Sequence, residues 1–420
     1  MNVFVFEDHV ASRLGVLTAA RPACDLTIGT ATLHDSLAAF GSVHRVLRPH
    51  LARYLAALDG KRIALWGGAS DRSPPPPASR HGAVALLVNA RMVPSRDNLQ
   101  SLRGLVEAGH RTVVRDGTAI AAAVLHLSPE GTGPDDAFVR RLCEEGPDVV
   151  RKLDAAGLAT ADVQLDLLNE AHEVIGAHEQ ALEGSLAIRL DSGRYREVRP
   201  GLFVAAGAEG AAEVAVRHGP VVVEAGAEIG PFVCLDGPLF IGPRARVNPH
   251  AWLRAGTVLG AHCRAGGEIE ATVMEPFSNK PHDGFLGHSH LGSWVNLAAG
   301  TITSNLKATY GPVRLHELHA DGSRTTVHTG RQFFGALIGD LARTAINTSI
   351  PCGARIGIAA AVQGTVAESV PAFTNDLLGS PSTAEQAAIV LGRMMERRGL
   401  ALLDADSELL ATLAGEETTG

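Results

Sequence analysis

The stretch SNKPHDGFLGHSHLGSW, residues 278–294, gathers Lys280, His282, Asp283, His288 and His290 between two hydrophobic runs. The chemistry such residues offer is proton transfer and charge. An imidazole titrates near neutrality, so any of these histidines can accept a proton and release it within one reaction cycle. Alternate positions of an extended chain share a face, so His288 and His290 could converge, and with His282 and Asp283 they form a conceivable metal-ligand set. The competing reading is structural: a histidine in a turn or at a strand edge is satisfied by hydrogen bonding and packing. The lysines add a second clue. Only four of the 37 basic residues are lysine, and two of them, Lys280 and Lys307, bracket this stretch. An ammonium kept where arginine is the rule suits a place that needs a compact point charge, which a planar guanidinium does not supply.

The elements that must position these residues are read from a repeat. From Val223 onward every sixth residue is small or aliphatic: Val223, Ile229, Leu235, Ile241, Val247, Leu253, Leu259, Ala265 and Ala271. Neither an α-helix nor a flat strand has that period. Glycine follows in Ile229-Gly230, Ile241-Gly242 and Leu259-Gly260, giving the pattern [LIV]-G-x-x-x-x. Self-similarity at six residues predicts a hexapeptide β-helix, in which each hexad is a short strand plus a turn and three hexads close a triangular coil. The register resumes with an offset as Phe285, Leu291, Leu297 and Thr303, breaks again, and returns as Ile338, Thr344, Ile350, Ile356 and Val362. Residues 272–284 are expected to absorb the first offset. Residues 306–334 contain a predicted hairpin, VRLHEL and SRTTVHT around Ala320-Asp321-Gly322, extruded from the coil. Insertions in a solenoid gather on one face, often the binding face. Residues 382–413 have helical apolar spacing with Arg393, Arg397 and Arg398 on the polar side, which predicts a helical cap over the last coil.

The N-terminal half has a different texture. MNVFVF, RIALWGG, AVALLVN and RTVVRDG read as strands, and 31–40 and 97–109 as helices, an alternation that predicts a parallel-sheet α/β domain. The run Pro74–Pro77 is expected to be a stiff surface loop. A nucleotide would sit past the carboxyl end of the first strand, at FEDHVASRLGVLTAARP. The glycines of a phosphate cradle are missing there, and Glu7 and Asp8 stand where it would begin, an arrangement hostile to a triphosphate unless a cation intervenes. A net charge of −8 argues against nucleic acid as a partner. The acidic start MNVFVFEDHV does not read as a signal peptide, and no apolar run is long enough to span a membrane, so the chain is expected to be cytoplasmic. Five scattered cysteines without CxxC spacing argue against a disulfide framework and a structural zinc site.

The blocks SNKPHDGFLGH (278–288), GSWVNLAAGTITSNLKATYG (292–311) and IGDLARTAINT (338–348), with FEDH and LGVLTAARPACDL at the start, resemble the GlmU-like sugar nucleotidyltransferases. These are relatives of the bifunctional N-acetylglucosamine-1-phosphate uridyltransferase/glucosamine-1-phosphate acetyltransferase. The resemblance implies a nucleotidyltransferase-like domain over 1–190, a left-handed β-helix acyltransferase domain over 191–380 and a C-terminal helical tail over 381–420. It further implies a homotrimer with acyl-CoA sites between neighbouring prisms. His282 falls at the position of the acetyl-transfer base, Phe285 where the relatives use tyrosine, and Asn296 and Asn305 at the two asparagines of the sugar and acetyl pocket. Lys280 and Lys307 would carry charge for a sugar phosphate or the CoA diphosphate, while Asp340 and Asn347 would shape the acyl-CoA cleft or the coil corners. Asp283 or Glu268 would orient the imidazole of His282.

Departures from that pattern matter equally. Glu270 and Trp252 replace the basic residues that hold the sugar phosphate. Arg13, Leu17, Thr18, Arg21 and Pro22 keep only an outline of the pyrophosphorylase loop, and Ala23 stands where its final lysine would be. The expected function is therefore acyl-CoA-dependent N-acyl transfer to an amino sugar or sugar phosphate, with a degenerate nucleotidyltransferase domain. Two alternatives stay open: synthesis of an NDP-sugar from a sugar 1-phosphate with magnesium, Arg13 and Arg21 lining the nucleotide loop, or a non-catalytic trimeric scaffold.

Overall fold

A computed structural model of the chain describes residues 1–58, 83–210, 214–318 and 323–419. The predicted strand RIALWGG, the run Pro74–Pro77 and the hairpin tip Ala320-Asp321-Gly322 lie outside the described residues.

The N-terminal half is built on a six-stranded sheet of β1 (Asn2–Phe6), β2 (Ser42–Val46), β3 (Ala83–Asn89), β4 (Thr112–Asp116), β5 (Ala119–Leu127) and β6 (Ala159–Thr160), in the order β2-β1-β3-β5-β4-β6. Strand β1 lies parallel to β2 and β3, covered on both faces, which is why its sequence is a continuous apolar run rather than an alternating one. The expected all-parallel sheet is corrected to a mixed one, because β5 pairs antiparallel with both β3 and β4. Its sequence, AIAAAVLHL, is rich in alanine, and burial rather than strand propensity makes it a strand. Helices α1 (Leu33–Leu37), α2 (Pro49–Ala57), α3 (Arg96–Ala108) and α4 (Pro134–Glu145) accompany this sheet.

Helix α5 (Glu173–Asp191) joins the two halves and is apolar on more than one side. Val174, Ile175 and Ala181 belong to the core of the N-terminal half. Leu182 and Leu186 pack instead on Val222, Phe240, Val258 and Val273 of the coil. A helix clamped between two bodies has no single polar face to display.

Beyond α5 the chain forms three ladders of short parallel strands around one apolar core. The first ladder, which faces α5, runs from Val221–Val223 through Leu239–Ile241, Val258–Leu259, Val273–Met274, His290–Leu291, Ala336–Ile338 and Ala354–Ile356 to Ser369–Val370. The second contains Glu228–Ile229, Arg246–Val247, Arg264–Ala265 and Asn279–Lys280, and bridges through Asn296 to Arg343–Thr344 and Ala361–Val362. The third contains Ala215–His218, Cys234–Asp236, Trp252–Leu253, Glu268–Glu270 and Phe285–Gly287, with Ile302–Thr303 and Ser349–Ile350 forming a separate parallel pair farther along the coil. This is the arrangement expected of a three-sided β-helix.

The early hexads keep the predicted register: Ile241 pairs with Leu259, 18 residues on. The contraction begins earlier than expected, since Leu253 pairs with Ile269 and Leu259 with Met274. Ile269 and Leu286 therefore occupy the inward places expected for Ala271 and Phe285, both fully buried. Ala271 instead sits at a corner with φ 43°, and Phe285 points outward, half-buried. Counting back in sixes from Leu291 misses this, because the step from Leu286 to Leu291 is five residues. The predicted hairpin is present as Arg314–Leu318 paired antiparallel with Arg324–His328.

The C-terminal segment forms two helices, α6 (Ala384–Glu396) and α7 (Asp404–Thr419). They pack with α2 along one corner of the coil, on a cluster that includes Phe277, Trp294, Ile358 and Phe373. His262, Phe277 and Trp294 stack there ring on ring at centroid spacings of 4.7 and 4.3 Å. The helices thus flank several coils rather than the last one alone.

Candidate active site

The turn that carries His282 leads from the second ladder to the third. His282 and Asp283 are exposed, and no described side chain bonds to the imidazole, so neither Asp283 nor Glu268 orients it within one chain. What holds the turn is Lys280. Its side chain occupies an inward position beside Ala265 and is 0% exposed. From inside the prism its ammonium donates to the carbonyls of Gly266 (3.2 Å), His282 (2.6 Å) and Asp283 (3.0 Å). Burial, only partly offset by the Asp283 charge, pulls its pKa down to about 8. A guanidinium would not fit three carbonyls converging on one point, which accounts for lysine here. The expectation that Lys280 offers its charge to a phosphate is corrected: the charge is consumed by the backbone.

Phe285 and Asn305 meet over Gly287. A Cβ on that glycine would lie 2.4 Å from the Phe285 ring and 2.9 Å from the Asn305 amide nitrogen. The Asn305 amide donates to His288 Nδ1 at 2.9 Å, and His288 stacks on Phe333. Burial, with Arg331 and Arg254 nearby, lowers the His288 pKa to about 4. Glu268 and Glu270 flank this place one coil away and share Arg254, at 3.0 and 2.8 Å. Burial raises the Glu270 pKa, with Glu268 and Asp236 adding to it against the pull of Arg254.

Asn296 lies on the other side of the His282 turn, in the second ladder, where its side-chain amide makes no hydrogen bond among the described residues. Lys307 stands at the start of the hairpin insertion and donates to the Pro312 carbonyl at 3.2 Å. Asn347 is exposed at a corner with φ 55°, a conformation asparagine tolerates, so it is no member of an internal ladder.

The structure does not bring His282, Asp283, His288 and His290 together as a ligand set. His288 is spent on Asn305, and His290 is buried against Glu275 at 3.2 Å. Among the described residues no group of three or more His, Cys, Asp or Glu is placed to hold a metal ion.

Asp340 and Arg21 are corrected together. Both are buried, and they pair with each other, remote from the His282 turn. Arg21 also bonds Ser293 Oγ at 2.7 Å and Glu275 at 3.1 Å. Glu275 accepts in addition from the Thr27 amide at 2.8 Å. Burial opposes the charge on Glu275, but Arg21, His290 and the Thr27 N–H outweigh it and leave the pKa at about 2. This group is a lock between the two halves, and its long sequence separation hid it from local reading.

At the carboxyl end of β1 a cleft of about 440 Å³ is lined by Asp8, His9, Arg13, Arg91, Asp116 and Asp148, among others. Arg13 is exposed, in a loose 3.7 Å pair with Glu170. The two carboxylates that seemed to oppose a triphosphate are already neutralised. Asp8 takes a bidentate contact from Arg91 at 2.8 and 2.7 Å, while Glu7 is held by Arg48 at 2.9 and 3.0 Å. Where the glycines of a phosphate cradle are missing, the chain forms the 3-10 segment His9–Leu17.

Residues 3–191 match the family model described as sugar nucleotidyl transferase. The chain is 33% identical over 141 residues to a bifunctional sugar-1-phosphate nucleotidylyltransferase/acetyltransferase of Sulfurisphaera tokodaii, covering 33% of this chain and 34% of that protein. It is 34% identical over 118 residues to the bifunctional protein GlmU of Methanococcus vannielii, covering 28% and 26%. A third relative, GlmU of Paracoccus denitrificans, is 41% identical over 87 residues, covering 20% and 19%. The chain is thus GlmU-like, with a sugar nucleotidyl transferase domain at its N-terminus, and it spans about a third or less of the length of the curated relatives it matches.

Proposed function

We propose that the chain is an acyl-CoA-dependent N-acyltransferase acting on an amino sugar or sugar phosphate, with His282 as general base. The observation that carries the reading is the His282 turn itself. The imidazole faces solvent, free of side-chain partners, on a turn fastened from beneath by Lys280. In the reaction the acceptor amine attacks the thioester carbonyl and gives its proton to His282. The tetrahedral intermediate then collapses, the C–S bond breaks, and the imidazolium returns the proton to the departing thiolate. Base catalysis of this kind contributes roughly 10²- to 10⁴-fold. Phe285 and Asn305 offer a wall and an amide on one side of the turn, and Asn296 offers a free amide on the other. Because these stand on different ladders of one coil, the reading places the complete site between copies, in a homotrimer of left-handed coils in the cytoplasm. The test is turnover of acetyl-CoA with amino sugars and their phosphates. Wild type should release CoA with at least one acceptor, and His282→Gln should lose it while keeping the oligomer; absence of turnover with every acyl-CoA and acceptor would sink the reading.

A second reading is supported by the family match over 3–191 and the cleft beyond β1. It is nucleotidyl transfer from a nucleoside triphosphate to a sugar 1-phosphate, with Arg13 at the mouth. Such chemistry uses magnesium in the wider family, to offset phosphate charge. The carboxylates nearest β1 do not fit that role, because Asp8 and Glu7 are committed to Arg91 and Arg48. Release of pyrophosphate, lost in Arg13→Ala, would establish this activity.

A further inference from the structure

The second ladder displays a line of residues just outside the inward positions: Arg264, Asn279, Asn296 and Arg343, paired in that order across successive coils. Adjacent strands are about 4.8 Å apart, so two amides form a floor with an arginine at each end. Arg398, just past the end of α6, reaches over this floor and donates to Asn279 Oδ1 at 2.7 Å. None of Arg264, Arg343 and Arg398 has a carboxylate partner among the described residues, in contrast to Arg246 on the same ladder, which pairs with Glu228 at 2.7 Å.

Elsewhere Arg21, Arg48, Arg91, Arg111, Arg189 and Arg254 all hold carboxylates. Arg343 is half-buried, and its Nε is shielded from water with no hydrogen-bond partner. Its pKa is lowered by burial, and that of Arg398 by burial and then by Arg264, Arg397 and Arg246. The histidine at the neighbouring corner, His262, is likewise lowered, by burial first and then by Arg244 and Arg398. Arg264 and Arg398 thus lie close enough to repel each other, and Arg343 adds a half-buried guanidinium at the far end of the same line. A planar guanidinium fork matches a phosphate through two parallel hydrogen bonds, and the Asn296 amide suits a remaining oxygen, while Asn279 already bonds Arg398 and donates to the Phe277 carbonyl at 3.2 Å.

We propose that the second ladder binds a phosphate-bearing small molecule, held by Arg264, Arg343 and Arg398 over Asn279 and Asn296. Binding here can occur whether or not His282 catalyses anything, so its failure and that of the acyl-transfer reading are separate. Two sources share the chemistry: the diphosphate of an acyl-CoA and the phosphate of a phosphorylated sugar. A flat protein partner fits less well, because the α6 end stands over the ladder.

Isothermal titration of the full chain with inorganic pyrophosphate tests the proposal. Saturable binding is expected, weakened at least tenfold in the double variant Arg343→Gln/Arg398→Gln and less than twofold in Arg246→Gln. Displacement of pyrophosphate by CoA at lower concentration than by glucosamine 1-phosphate assigns the site to the acyl donor, and the reverse order to a phosphorylated acceptor. Should the double variant fail to fold by circular dichroism, Arg264→Gln alone must still weaken binding several-fold. The proposal is overturned if pyrophosphate does not bind saturably, or if binding survives these substitutions. It is overturned equally if their only effect is a change in oligomer mass, which would assign the arginines to carboxylates of a second copy.

Discussion

Two regions of this molecule are rich in charge, and they use it in opposite ways. Around the end of β1 every charged side chain that is buried is matched inside the chain: Glu7 with Arg48, Asp8 with Arg91, Arg21 with Glu275 and Asp340. Around the His282 turn the buried ammonium is matched by carbonyls, yet the groups it supports are left open: the imidazole of His282, the amide of Asn296 and the guanidiniums of Arg264 and Arg343. Burying a charge is tolerable only when it is paired. Charge that is paired internally therefore describes how a body is held, whereas polar groups left open beside a rigid frame describe what it can take hold of. The buried pairs of the first region thus hold the body together, while the second region keeps polar groups unpaired within the chain.

The contrast can be broken by substitution on each side. His282→Gln should lower acyl-transfer turnover by about 10²- to 10⁴-fold with little change in unfolding midpoint, measured by CoA release and by urea denaturation. Loss of stability on the same scale as loss of activity would show the imidazole to be structural after all. Arg91→Met should do the reverse. It leaves Asp8 without its bidentate partner in a mostly buried place and is expected to cost about 3 kcal/mol or more in the same denaturation assay.

Acid sharpens the comparison, because the interior histidines titrate with a known sign. Burial lowers the pKa of His178 to about 4, despite its bond to the Gly256 carbonyl, and His288 is lowered to about 4 as well. Unfolded chains bind these protons near pH 6.5, so the stabilisation present above that value is lost as pH falls from about 6.5 toward 4. Glu275, with its folded pKa at about 2, extends the loss between roughly pH 4.5 and 2, as its carboxylate is protonated and releases Arg21. The urea midpoint should therefore drop at pH 5 relative to pH 7, and a flat profile would contradict the buried, neutral state of both histidines. The smallest effect is expected at Arg13, whose side chain is 60% exposed. Arg13→Ala should change stability by less than about 0.5 kcal/mol.

Much of this was legible in the sequence where the physics is local or periodic. The hexads from Val223 to Leu259 announced the coil, and VRLHEL with SRTTVHT announced the hairpin. Two kinds of feature escaped. One is register: Ile269 and Leu286 took the inward places because turns shortened, and a strict count in sixes cannot anticipate a five-residue step. The other is partnership across hundreds of residues. Nothing near Arg21 or Asp340 hints that they meet, so each read as a ligand-binding residue. Lys280 was noticed for its rarity and assigned outward, whereas the position just after the coil strand's Asn279 belongs to the inside. The basic line of Arg264 and Arg343 was readable in principle, since each directly precedes an inward residue of the same ladder, but the repeat was read for its apolar positions alone.

The lock formed by Arg21, Thr27 and Glu275 has a practical corollary for anyone wishing to dissect the protein. A fragment consisting of the coil alone would expose Glu275 with the cation that matches it cut away, and the complementary fragment would strand a guanidinium on a newly wetted surface. Separately produced halves should precipitate or stay unfolded until mixed, and a soluble, cooperatively unfolding coil fragment would show the lock to be dispensable.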